Sequence, residues 1–171
     1  MRAAHLVLTT AAMAAALAAC GKSGSSDQAS TASGAGSPPA AAAKGPSAKE
    51  KKALLAALPA PYNAGDLDNG QRKFALCRSC HTITQGGPDM TGPNLYGVFG
   101  RKAGSKPGYR YSDVVKNAGF DWDAEHLDKW LSSPRTFMPG TKMSFLGIPN
   151  EKDRVDLIAY LKVETGYQPP K

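Results

Sequence analysis

Residues 77–83 read CRSCHTI. Two thiols three positions apart, with an imidazole directly after the second, suit three chemistries: a dithiol redox pair, a zinc site and a covalently held haem. The rest of the chain decides among them. A zinc site needs two further ligands. From residue 65 onward the chain offers no other cysteine and, besides His81, only His126. A thioredoxin-like dithiol wants a βαβ setting, and no run alternates for long enough to read as a strand. The haem reading has a physical basis in the spacing. Thiols three residues apart reach the two vinyl groups on one edge of a single porphyrin, and the next residue brings its imidazole under the ring to the iron.

The pattern around this stretch is helical, interrupted by Gly and Pro. Asp68 is predicted to cap a helix running to about Cys77, with Lys73, Phe74 and Leu76 crossing its faces. One turn is predicted from Asp113 to Asn117. Asp123 caps a helix in which Leu127, Trp130 and Leu131 fall at i, i+3 and i+4, and Pro134 ends it. Asn150 caps the last helix, where Val155, Leu157, Ile158 and Leu161 form an apolar stripe, and Gly166 closes it. The fold class expected is all-α with long loops. Long loops in a domain of roughly 105 residues imply that something other than side chains fills the centre.

The 171 residues carry 21 Lys+Arg against 14 Asp+Glu, a formal net charge of +7. Ala, Ser and Gly dominate the first sixty residues, and every aromatic residue lies from Tyr62 onward. A core needs large side chains, so the folded domain belongs to the second part. The N-terminus, MRAAHLVLTTAAMAAALAAC, has a positive start and an apolar run too short for a confident membrane span. Its end, Leu17-Ala18-Ala19-Cys20, resembles the lipobox of bacterial lipoproteins. Residues 1–19 are therefore read as a lipoprotein-type signal peptide, and 20–47 as a lipidated Cys20 followed by a flexible linker. Lipidation also accounts for the odd cysteine. Residues 48–64 read as a short helix, with Leu54, Leu55 and Leu58 to one side, and a connector after it. An exported chain makes nucleic acid a poor partner for the positive charge.

From Gly65 to about Gly166, GDLDNG, CRSCHTI, TGPNLYGVFGRKAG, PGYRYSD, FMPGTKMSFLGI and RVDLIAYLK occur in that order. Together they resemble class I cytochrome c, particularly the mitochondrial and alphaproteobacterial-type proteins. The resemblance implies a cytochrome c domain over 65–171, its N- and C-terminal helices crossing and long loops wrapped around one covalent haem c. Cys77 and Cys80 would form the thioethers, and His81 would be the proximal iron ligand. The residues alone leave Met90, Met138 and Met143 open as the distal ligand, and the resemblance selects Met143. It gives the carbonyl of Pro93 a hydrogen bond from His81, gives Arg101, Tyr111 and Trp122 the propionates, and gives Thr141 an internal water near the methionine. Gly70 and Phe74 would meet Leu157 and Tyr160 where the helices cross. Two positions depart from the family: Trp130 stands where a Tyr is usual, and Val115 replaces an Asn of the water network. A drier or rearranged distal pocket is expected.

The function implied is single-electron transfer, not catalysis. The carrier would be a monomer, lipid-anchored on the extracytoplasmic, periplasm-facing side of a bacterial membrane. Acidic redox proteins such as a quinol–cytochrome c reductase and a terminal oxidase would be its partners. The alternative is a dedicated electron donor to a periplasmic peroxidase or dehydrogenase. Basic residues (Arg72, Lys73, Arg78, Arg101, Lys102, Lys106, Arg110 and Lys116) and acids (Asp121, Asp123, Glu125 and Asp128) cluster separately, which suggests a charge dipole that steers docking. Leu76, Gln85 and Met90, however, occupy positions where the mitochondrial proteins often carry lysines, so the basic ring is thinned.

Overall fold

The structure, a computed structural model, describes residues 45–168. The signal peptide, Cys20 and the linker up to residue 44 lie outside the described residues. Six α-helices follow in order: α1 (Ala48–Ala56), α2 (Leu67–Phe74), α3 (Asp113–Lys116), α4 (Ala124–Ser132), α5 (Pro134–Phe137) and α6 (Glu151–Glu164), with a 3-10 turn at Tyr62–Ala64 between the first two. Among the described residues the only strand-type pairing is an isolated bridge between Lys102 and Asp121. The all-α expectation holds.

The helix ends follow from local chemistry, with two corrections. The cap of α2 is Asp66, not Asp68: its carboxylate accepts from Asn69 N–H at 2.9 Å. Asp66 is held in place because its own N–H donates to Asp156 Oδ1 at 2.9 Å, whereas Asp68 lies inside the first turn, near the positive end of the helix dipole. The helix also stops at Phe74, short of Cys77. Single turns then carry the chain through the cysteines, with Cys77 N–H donating to Phe74 O at 2.8 Å and His81 N–H to Cys77 O at 2.9 Å. Asp123 and Asn150 cap α4 and α6 as expected, accepting from His126 N–H and Asp153 N–H. Pro134 both ends α4 and opens α5 from its first turn, where a missing N–H costs nothing. Ser47, the last residue of the expected linker, forms a reciprocal capping box with Glu50.

The centre of the fold is the crossing of α2 and α6. Gly70 lies against α6 so closely that a β-carbon there would stand 2.5 Å from Tyr160 Cβ and would overlap the backbone oxygen of Asp156. One turn on, the rings of Phe74 and Tyr160 meet at 5.9 Å. The Asp156 carboxylate, 1% exposed, accepts from Asn69 Nδ2 (2.8 Å) and Lys152 Nζ (2.6 Å) as well as from Asp66.

The apolar-stripe expectation for α6 is too narrow. Every residue from Asp156 to Val163 is buried, while Val155 is only half-buried. The reason is that α6 is packed by α1, α2, α4 and the 3-10 turn together. Lys162 is drawn into that interior, with its ammonium 3.7 Å from the ring centre of Tyr167 and 4.7 Å from that of Phe99. The loops between α2 and α6 leave a cleft beside this crossing.

Candidate functional site

The cleft has a volume of about 320 Å³. The turns after α2 bring Cys77, Cys80 and His81 to one wall. The loop from Thr91, the segment 109–115, Leu127 and Trp130 of α4, and residues 141–145 also line the cleft. Neither Cys77 nor Cys80 is in a disulfide. Burial pushes the Cys77 thiol up to about 11, with Cys80 beside it adding to the effect.

His81 is oriented from behind. Its Nδ1 lies 2.7 Å from the carbonyl of Pro93, so Nδ1–H donates and Nε2 is left as the unshared nitrogen. Burial lowers its pKa, partly opposed by that hydrogen bond, which favours the neutral imidazole that ligates metals. Sequence reasoning missed the residue that lets the ring lie there. Gly92 is buried under the imidazole, and a β-carbon on it would come within 2.6 Å of Nε2. Asn94 was missed as well. It is 4% exposed and ties the loop together, donating from Nδ2 to Thr82 Oγ1 (2.6 Å) and Thr84 O (3.0 Å) and accepting from Tyr96 N–H (2.9 Å). The TGPN run, residues 91–94, was the available signal.

In the same lining, Arg101 is half-buried and reaches only two backbone carbonyls, Tyr96 O at 3.3 Å and Asn94 O at 3.4 Å. Desolvation lowers its pKa, while Tyr111 and Asp89 act the other way. Ser112 Oγ, also in the lining and buried, has no hydrogen-bond partner among the described residues. A desolvated cation and an orphaned hydroxyl in one cleft lining fit a bound group that carries acids. Trp122 and Trp130 both line the cleft and meet edge to face at 5.5 Å. With Val115, Leu127 and Phe145 they give the cleft a largely apolar lining.

The methionines separate. Met143 lines the cleft, with its N–H donating to Thr141 Oγ1 at 3.2 Å. Thr141 Oγ1 thus accepts from the Met143 backbone, and its O–H is still able to donate. Met138 is buried in the wall of a different groove with Phe120, His126 and Phe137, and Met90 is 46% exposed, outside the cleft lining. Of the residues singled out in the sequence, Cys77, Cys80, His81, Pro93, Arg101, Tyr111, Trp122, Trp130, Thr141 and Met143 all border this one cleft. Cys20 lies outside the described residues.

A helical domain with two unpaired thiols, a braced imidazole and a largely apolar cleft is the architecture of a protein that carries a covalently attached planar cofactor. Comparison with known proteins agrees. The cytochrome c family model matches residues 67–163, more than half of the chain. Cytochrome c2 of Rhodomicrobium vannielii is 43% identical over 114 residues, covering 67% of this chain and 91% of that protein. Cytochrome c of Theileria parva is 50% identical over 99 residues, covering 57% and 85%. The solved structure of cytochrome cH from Methylobacterium extorquens superposes with a TM-score of 0.55 at 44% identity, covering 58% of this chain and all of that one. The chain belongs to the cytochrome c family. It is a class I, monohaem electron-transfer cytochrome with one covalent haem c, and it is not an enzyme.

Proposed function

We propose that this protein is a membrane-tethered carrier that moves single electrons between extracytoplasmic respiratory partners, using a haem ligated by His81 and Met143. The observation that supports it most directly is that Met143 borders the same cleft as His81, Cys77 and Cys80, whereas Met90 and Met138 do not. The haem supplies one-electron chemistry at its iron. The chain does the rest. Cys77 and Cys80 hold the ring edge, and Pro93 keeps the His81 ring turned and strengthens it as a donor. Arg101, Tyr111, Ser112 and Trp122 serve the propionates, and Thr141 steadies the Met143 segment. Bound, the haem would take His81 and Met143 as its metal ligands, a donor pair that would favour the reduced metal.

Cys20 carries lipid in this reading, which keeps the carrier on the periplasmic face between a quinol–cytochrome c reductase and a terminal oxidase. Two variants test it. Met143→Ala holoprotein should lose the charge-transfer band of methionine-ligated ferric haem, and the same loss in Met138→Ala instead would refute the assignment. Cys20→Ser should release the mature protein from membranes; retention there would mean that another segment anchors it.

A further inference from the structure

The peptide group behind His81 is held at both of its ends. The unit that joins Pro93 to Asn94 accepts at its carbonyl from His81 Nδ1–H at 2.7 Å. Its N–H donates to Asp89 Oδ1, also at 2.7 Å. Both bonds are at the short end of the range for a nitrogen donor. One resonant amide thus lies between an imidazole and a carboxylate. The carboxylate is in turn gripped by Lys106, whose Nζ lies 2.7 Å from Oδ1 and 2.8 Å from Oδ2. Lys106 and the Asn94 N–H hold the Asp89 carboxyl below the usual carboxylate range, against burial, so it is an anion at neutral pH.

Charge matters along such a chain. An amide N–H that donates to an anion shifts electron density toward the carbonyl oxygen of the same unit. That oxygen then accepts more strongly, by about 10–30% per bond. An imidazole whose Nδ1–H is drawn harder is a more basic donor at Nε2. Fastening the loop does not require the charge, since a neutral amide at position 89 would accept the same N–H.

We propose that Asp89 is a positioning residue for the haem ligand: through the Pro93–Asn94 peptide it strengthens His81 as a donor, and Lys106 sets how far. The proposal rests on the reading of His81 as the iron ligand. A stronger donor favours the oxidised metal. Asp89 therefore holds the reduction potential down, and Lys106 holds it up.

The test uses nitrogen-15-labelled holoprotein at about 500 mM salt, where exposed charges are screened. It reads the ferric–ferrous midpoint and, in the ferrous state, the proton and nitrogen resonances of His81 Nδ1–H. Asp89→Asn keeps an acceptor and removes the charge. It should shift the redox equilibrium toward the ferrous form by roughly two- to fourfold. Its His81 Nδ1–H should move upfield and exchange faster with water. Lys106→Met leaves the carboxylate uncompensated and should shift both readouts the other way. The double variant Asp89→Asn/Lys106→Met keeps the native net charge and should follow Asp89→Asn. A His81 Nδ1–H resonance unmoved by Asp89→Asn would overturn the proposal. So would a double variant restored to native values, because net charge alone would then be acting. If Asp89→Asn did not fold, the sign of the Nδ1–H shift in Lys106→Met would still decide. Native His81 ring protons without the large upfield displacement of a group lying over a porphyrin would instead overturn the ligation beneath it.

Discussion

At position 162 a lysine sits 5% exposed among three aromatic rings, the third being Tyr62 at 5.7 Å. Burial pushes its ammonium down from 10.5 to about 8, with Asp123 opposing. The fold therefore disfavours the charged form. Between pH 8 and 10.5 the unfolded chain holds the proton and the folded chain does not, so stability rises with pH across that window. Below it the full penalty applies. Lys162→Met should abolish this slope and raise stability at pH 7 by about 1–3 kcal/mol, the attraction of the ring faces having offset part of the cost. Denaturant titrations of native and variant holoprotein at pH 7, 8.5 and 10 would show it. Parallel curves at all three pH values would mean that Lys162 keeps its proton in the fold. Nothing in the sequence marks this lysine, because two of the three rings around it, Phe99 and Tyr62, are distant in the chain.

The same limit governs the elements. Helix existence was legible wherever a cap and an apolar spacing coincided, as at Asp123 and Asn150. The existence of α2 was legible too, but its bounds were misread, since Asp66 and Asp68 are equally good caps locally and only the contact of Asp66 with Asp156, ninety residues away, decides between them. The site was legible as a list, since motif residues fall on one cleft. Gly92, Asn94 and Ser112 were not, because their importance is a matter of what lies against them. The crossing of α2 and α6 makes the sharpest demand on composition. Gly70→Ala puts a methyl group into the backbone of Asp156 and the β-carbon of Tyr160. The helices must separate, at a cost of about 1–3 kcal/mol or more. Thermal melting of the holoprotein should show a clear fall in Tm. An unchanged Tm would mean that the crossing yields freely.

On the scale of the molecule, much of the cleft lining is apolar, including Val98, Val115, Leu127 and Phe145. A planar apolar group seated there takes that surface out of water, and burial of this kind stabilises the fold. The haem should therefore support folding as well as electron transfer. Cys77→Ser/Cys80→Ser protein should retain helical far-ultraviolet dichroism in part, lose near-ultraviolet dichroism and be cut rapidly by protease. A protease-resistant double variant with native near-ultraviolet signal would show that the walls collapse onto one another instead.

Both tryptophans of the chain, Trp122 and Trp130, border the cleft. An indole excited there stands beside a strongly absorbing porphyrin and passes its energy on before it can emit. The folded holoprotein should be almost dark under ultraviolet excitation, and it should brighten when the chain unfolds and the indoles move away. The protein thus contains its own optical gauge, and assembly can be timed inside a mixture without a label.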